Sequence, residues 1–303
     1  MNKNFGKIKV IGIGGAGCNC IKYLATQELK NVDLIMANTD KKALRQEDEN
    51  LKLPAVILGK DLDCNEGSRG DSELGHKSAM ESYEELKMAL KGAKLVFIRA
   101  GMGGGTGSGA SVVAAEIAKK LGAVTVALVS IPFYFEGSKR KVVAEEWLKK
   151  LRQKVDGMAI MPNDNLLQNQ PGEKNFNVVM EEGESYFKDI IKILSCLWQY
   201  EGELLYDFMK RRGLCFIGGG KGCGIDGLAN AVNRATESLE NWNRVEIEKF
   251  TFVFIIIAKK NIDDENEEDE ILERFINQDI VDMVWVENEE LEDDEVGVVI
   301  LGA

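Results

Sequence analysis

Between Ala100 and Ala110 the chain reads A-G-M-G-G-G-T-G-S-G-A, so six of eleven residues are glycine and two others, Thr106 and Ser108, carry hydroxyls. Side chains hold a backbone away from an anion, whereas glycines let successive N–H groups turn inward and take positive φ where needed. The run lies between the apolar Leu95-Val96-Phe97-Ile98 and the helix-like stretch from Val112 to Ala118. It therefore joins a buried strand to a helix, whose first turn adds unpaired N–H donors and the positive end of a dipole. That chemistry is phosphate binding. A tight strand-to-helix turn accounts for one or two glycines, not for six.

Other residues could share this ligand. Gly12, Gly14 and Gly17 match G-x-G-x-x-G, with Gly15 and Ala16 inside the turn and Asn19 just after it. Such a turn is also the mark of dinucleotide-binding folds, whose acidic ribose ligand here would be Asp33 or Asp40. An NAD-dependent oxidoreductase is thus one reading, but it leaves the richer glycine run unexplained. Asn38-Thr39-Asp40 ends another apolar strand, and Gly67-Ser-Arg-Gly70-Asp71 precedes a helix expected over about Lys77 to Lys91, with Arg69 either facing phosphate or solvated. Pro132-Phe-Tyr-Phe-Glu136 follows a strand, with Glu136 and Arg140 one helical turn apart. Pro162-Asn163-Asp164-Asn165 closes the next strand.

The elements that must position these residues alternate. Strands are expected at Ile8–Ile13, Asp33–Ala37, Val56–Leu58, Leu95–Ile98, Val124–Ile131 and Met158–Met161, each ending in a polar or glycine-rich loop. In an open parallel sheet, ligands bind at that carboxyl edge. A nucleotide, with polyphosphate and base, is the ligand that would use all these loops. Helical spacing then runs from Phe176 to Leu197 and again from Glu203 to Arg212, ahead of a strand at Leu214–Ile217. Gly218-Gly-Gly-Lys-Gly222 lacks the Ser or Thr of a P-loop after Lys221 and reads as a structural turn. Beyond it the pattern gives a helix at Leu228–Leu239, a strand at Lys249–Ala258 and a helix from Asp263 to about Asn277. Met283–Val286 and Val296–Leu301 then read as a terminal hairpin.

Composition excludes other classes. With 303 residues, 45% of them hydrophobic, the chain supplies a core for two domains or one large one. A net charge of −12 argues against general affinity for nucleic acid or anionic membrane. No stretch is long enough to insert into a membrane, and the N-terminus carries no apolar targeting segment, so a cytoplasmic location is expected. Cys18, Cys20, Cys64, Cys196, Cys215 and Cys223 form no C-x-x-C pair and read as reduced structural thiols; no metal-ligand cluster is expected. The single histidine, His76, reads as a loop residue rather than a catalyst.

Taken together, the motifs resemble those of the FtsZ and tubulin superfamily of GTPases, on the FtsZ side. The segments are G-G-A-G-C-N from Gly14, N-T-D from Asn38, G-D-S-E-L-G from Gly70, the glycine run from Gly101, P-F-Y-F-E-G from Pro132 with Arg140, and P-N-D-N-L-L from Pro162. The resemblance implies an α/β fold: a parallel-sheet GTP-binding domain over 1–169, a central helix over 170–197, and a smaller mixed-sheet domain over 198–303. It implies GTP or GDP with Mg²⁺. Phosphates would lie on the first loop, Gly14, Gly15, Ala16, Gly17 and Asn19, and on the signature loop, Gly101, Gly103, Gly104, Gly105, Thr106, Gly107 and Ser108. Glu136 and Arg140 would stand near the ribose, Asn163 and Phe176 at the guanine, and Asn38, Asp40, Gly70, Asp71 and Pro132 would also belong to the nucleotide site. The base-reading aspartate after Phe176 is replaced by Met180 or Glu181.

The same resemblance implies a head-to-tail homopolymer, or assembly with another member of the family, in which an acidic loop of the next subunit completes the site. Ungapped alignment back from Met209, Gly213 and Gly218 puts Glu201 in the place of the first catalytic aspartate and Leu204 in that of the second, with Glu203 beside it, in a loop spanning Gln199 to Leu204, so Glu201 and Glu203 are the expected catalytic acids; Asp207-Phe208 is the alternative. Glutamate is one methylene longer than aspartate, so slow hydrolysis is expected, and a nucleotide-binding scaffold with little hydrolysis is the rival reading. FtsZ proteins of dividing bacteria carry a linker and C-terminal peptide after this domain; a chain ending at Ala303 is not expected to play an identical division-ring role.

Overall fold

The computed structural model describes residues 5–27, 29–45, 52–62, 67–168, 175–243, 250–260, 280–288 and 291–303. Cys64 and the helix expected over Asp263–Asn277 lie outside them. The chain divides into two compact units, residues 6–184 and residues 185–303 with the first five.

In the first unit, six strands form parallel neighbours in the order β3-β2-β1-β4-β5-β6. They are β1 (Lys7–Ile13), β2 (Val32–Asn38), β3 (Ala55–Ile57), β4 (Ala93–Gly101), β5 (Val124–Ile131) and β6 (Gly157–Pro162). The middle strands are buried on both faces, as their unbroken apolar runs require: Val10, Ile11, Val96, Phe97, Ile98, Val126 and Leu128 are fully inaccessible. Helices α1 (Gly14–Ala25), α2 (Ser72–Glu81), α3 (Tyr83–Leu90), α4 (Gly105–Lys120), α5 (Ser138–Arg152) and α6 (Asn163–Gln168) connect them. The helix expected over Lys77–Lys91 is thus two, broken at Ser82. His76 stands inside α2, its ring 5.6 Å from that of Trp147, and not in a loop.

Two of the glycine stretches are shorter loops than the sequence suggests. Strand β1 passes straight into α1, and only Met102-Gly103-Gly104 separates β4 from α4. Gly101 ends β4, while Gly105, Gly107 and Gly109 are helical and let elements touch. A Cβ at Gly105 would collide with Ser68 and the Asp71 backbone, and one at Gly109 with the backbone of Ser72 and His76, so α4 lies flush on α2.

Helix α7 runs from Phe176 to Arg211, its residues from Ser185 onward belonging to the second unit, and leaves helical geometry at Glu201 alone (φ −132°, ψ 41°). The expected acidic loop from Gln199 to Leu204 is therefore a break of one residue. A Cβ at Gly202 would strike the Phe5 ring, so glycine permits that packing.

The second unit holds β7 (Cys215–Cys223), α8 (Gly227–Glu237), β8 (Phe252–Lys259), β9 (Ile280–Glu287) and β10 (Glu295–Gly302). Two expectations fail here. The glycine run from Gly218 to Gly222 is strand rather than turn, paired antiparallel with β10 from Ile300 back to Val296. Its alternate members Gly218, Gly220 and Gly222 share one face, and a Cβ on each would fall on the carbonyl oxygens of Ala235, Ala231 and Gly227, so the run is what lets α8 lie on the strand. The last two strands do not form a hairpin. β10 lies between β7 and β8, antiparallel to both, and β9 pairs parallel with β8. The interior position suits β10, whose residues from Val296 to Gly302 are all buried.

Candidate functional site

In the first unit the chain builds outward in one direction from β1 through β2 to β3, then returns to β4 on the other side of β1. Such a switch leaves a crevice beyond the carboxyl ends of the two strands. A cavity of about 490 Å³ lies there, lined from Ile13, Gly15 and Ala16 after β1, from the stretch Gly101 to Gly107 after β4, from Ser130 to Arg140 after β5, and from Asn163, Phe176 and Met180.

Its floor is the start of two helices. Ile13 and Gly104, which precede α1 and α4, make no side-chain capping bond, and neither helix has an acidic residue in its first turn. Among the described residues, no capping side chain and no first-turn carboxylate answers their N–H groups and dipoles. Helix α2 is the contrast: its cap Asp71 accepts from the Leu74 N–H at 3.0 Å, and Glu73 stands in the first turn. Gly15 and Gly104 have open space where a Cβ would project, so at these two positions the missing side chain leaves room for a ligand. Thr106 Oγ1 is 2.7 Å from Thr39 Oγ1 and 3.0 Å from Ser68 Oγ, which fixes a cluster of hydroxyls beside the helix starts.

At the other end the lining is aromatic. Phe133 stacks on Phe135 (4.8 Å between centroids, 14° between planes), and Phe176 tilts against Phe133 at 5.7 Å. Asn163 is 8% exposed, and its Oδ1 is buried without a hydrogen-bond partner. Glu136 stands between the two ends, its Oε1 accepting from the Phe133 N–H at 2.8 Å and its Oε2 paired with the Arg140 guanidinium. The i, i+4 pair expected from sequence is present, spanning the 3-10 turn at 134–136 and the start of α5.

Of the residues singled out from sequence, Gly15, Ala16, Gly101, Gly104, Gly105, Thr106, Gly107, Pro132, Glu136, Arg140, Asn163 and Phe176 line this cavity. The others are not part of its lining. Gly14 (φ +73°) packs on the Gly107 backbone, while Gly17 sits against Gly12. Ser108 is fully buried, its Oγ accepting from the Gly103 N–H at 2.9 Å. Asn38 is buried beside Cys18, Asp40 accepts from the Lys42 N–H at 2.8 Å, Asp71 caps α2 after Gly70, and Asn19 is exposed on α1. Glu181 is exposed on α7, and Met180 lines the cavity instead. Glu201 and Glu203 are exposed in the second unit. Sequence reasoning missed Ser68, Ser130, Phe133 and Phe135; their signal was position, since all four sit in loops or strand ends at the carboxyl edge.

Arg99, a charge inside the most buried strand, has its partners in the same unit. Fully inaccessible, it donates to both carboxylate oxygens of Glu184 (3.1 Å and 2.9 Å), to the Ala100 carbonyl (2.9 Å) and to Ser130 Oγ (3.3 Å). A bidentate pair with its other donors occupied is the form in which a buried charge is tolerated.

The chain is similar to known proteins over most of its length. A family model described as "Tubulin/FtsZ family, GTPase domain" matches residues 7–171. The cell division protein FtsZ of Neisseria gonorrhoeae is 36% identical over 238 residues, covering 76% of this chain and 60% of that protein. FtsZ of Buchnera aphidicola is 37% identical over 233 residues, covering 77% and 60%. The chain thus spans about 60% of the length of the curated relatives it matches. Among solved structures, an empty FtsZ dimer of M. jannaschii superposes with a TM-score of 0.82 at 29% identity, over 98% of this chain and 88% of that one. A protofilament of CetZ2 from Haloferax volcanii bound to GTPγS shares the fold, with a TM-score of 0.77 at 20% identity over 98% and 92%.

Proposed function

The chain belongs to the Tubulin/FtsZ family, and from that premise we propose that it binds GTP, assembles head to tail into filaments, and hydrolyses the nucleotide where two subunits meet. The observation that carries the reading is the floor of the cavity: two uncapped helix starts, with Gly15 and Gly104 open toward the space, form a cradle for polyphosphate. The aromatic end with Asn163 supplies a slab and a hydrogen-bonding edge for a base. Between them, Glu136 and Arg140 stand where a ribose would reach. In this proposal residues 1–169 hold the nucleotide, 170–197 link, and 198–303 present carboxylates to the neighbour's site.

Mg²⁺ would come with the phosphates. It binds through waters and phosphate oxygens with few protein ligands, and the Thr106 and Ser68 hydroxyls are the groups here that fit its outer shell. When bound it neutralises phosphate charge. What the chain itself does is orient the phosphates on fixed N–H groups and bring Glu201 and Glu203 of the next subunit to hold the attacking water. Positioning of this kind is most of what phosphoryl transfer needs.

A second reading, a filament scaffold with little hydrolysis, is favoured by one observation. Where an acidic loop was expected, α7 breaks at Glu201 only, so the two glutamates stand on nearly continuous helix. GTP turnover per subunit, measured against protein concentration with Mg²⁺ present, separates the two. Turnover that rises above a threshold concentration is expected for a site completed between subunits. Tight GTP binding with no turnover at any concentration would leave the scaffold.

A further inference from the structure

Resting on the reading of the cavity as a purine nucleotide site, we infer that it selects its base by stacking and shape without a carboxylate, and so accepts hypoxanthine about as readily as guanine. The two bases differ only in guanine's 2-amino group. Guanine presents N1–H and that amino group side by side, and a carboxylate answers both donors at once with charge-assisted bonds. Among the described residues, no free carboxylate faces the aromatic end.

Among the described residues, each acid near this end is either engaged elsewhere or not part of the lining. Glu136 has one oxygen on the Phe133 N–H and the other on Arg140. Asp164 accepts from the Tyr134 N–H at 3.0 Å and does not line the cavity. Glu181 is exposed and also absent from the lining, where the thioether of Met180 stands. The base end therefore offers the rings of Phe133, Phe135 and Phe176, the soft side chain of Met180, and one carboxamide. Asn163 Oδ1, buried and without a partner, is a single neutral acceptor. It satisfies the N1–H that guanine and hypoxanthine share and has no second oxygen for the 2-amino group. Specificity against an analogue is large only where a site is built to bond the group that the analogue lacks.

The test is calorimetric titration of the wild-type protein with GTP and with ITP. Affinities within about threefold of each other are expected, and Met180→Asp, which restores an acid to the lining, is expected to raise the preference for GTP to about tenfold or more. Met180→Asn, of the same shape without the charge, should give a smaller gain and serves where the aspartate variant does not fold. A wild-type preference for GTP above about thirtyfold would overturn the inference, whatever the variants do. An unchanged ratio in a folded, GTP-binding Met180→Asp would overturn the assignment of Met180 to the base edge. Binding of neither nucleotide would refute the underlying reading of the cavity and the inference with it, a result distinct from a high GTP preference.

Discussion

Gly104 and Gly109 lie five residues apart in one glycine run and do different work. Gly104 faces open space at φ −89°, a backbone any residue adopts, whereas a Cβ at Gly109 would meet the α2 backbone. Gly104→Val is therefore expected to leave thermal stability nearly unchanged while blocking one or two charge-assisted contacts to phosphate, a loss of about ten- to a hundredfold in GTP affinity. Gly109→Ala should do the reverse, lowering stability by about 1–3 kcal/mol through overpacking, which denaturant melts would register. The sequence displayed the run but not this division of labour, because a glycine needed for an anion and one needed for packing are spelled alike.

Buried thiols set a second residue-scale expectation. Burial pushes the Cys18 thiol from near 9 up to about 11. Between those values the unfolded chain has released a proton that the folded chain still holds, so stability falls as pH rises from about 9 toward 11. Tyr186, pushed up to about 12 by burial, extends the decline further into base. Denaturation midpoints measured across this range should drop, and Cys18→Ala should flatten the first part of the slope.

At the scale of elements, strand and helix placement in the first unit was legible because parallel strands buried on both faces read as unbroken apolar runs. The second unit was less so. Five residues from Gly218 to Gly222, four of them glycine, carry the composition of a turn, and only the seating of α8 on alternate positions explains their use in a strand. Likewise, two apolar stretches close in sequence suggest a hairpin, but pairing partners are chosen by burial across the sheet, and the all-apolar β10 takes the interior place. Arg99 had no explanation in sequence, since its partner Glu184 lies 85 positions away. That pair ties β4 to the first turns of α7 beneath Ser130 of the cavity wall. Removing one member leaves a buried charge alone, so Arg99→Met or Glu184→Leu is expected to cost about 3–5 kcal/mol in chemical denaturation, while the double variant recovers much of that loss. Additive losses in the double variant would mean that the two side chains do not act as a pair.

For the whole molecule, the question is whether one chain carries a complete site. In the proposed reading the lining of the cavity holds the groups for phosphate and base, and the proposed carboxylates Glu201 and Glu203 belong to the other compact unit. A head-to-tail contact is heterologous, so each junction would join the nucleotide cavity of one subunit to the acidic face of the next. Two impaired variants then test the idea by complementation, at a GTP concentration that fills the wild-type cavity but not the weakened one. Under that condition Gly104→Val is left without nucleotide but keeps its glutamates; Glu201→Gln with Glu203→Gln binds GTP but lacks the acids. In an equal mixture assembled at random, about a quarter of junctions pair an intact cradle with intact glutamates, so turnover should return to as much as about a quarter of the wild-type rate. Catalysis inside a single subunit predicts no recovery at any ratio, because neither chain alone holds both parts. Unimpaired turnover in the double glutamine variant by itself would remove Glu201 and Glu203 from the mechanism and shift attention to Asp207, the acid that the alternative alignment placed there.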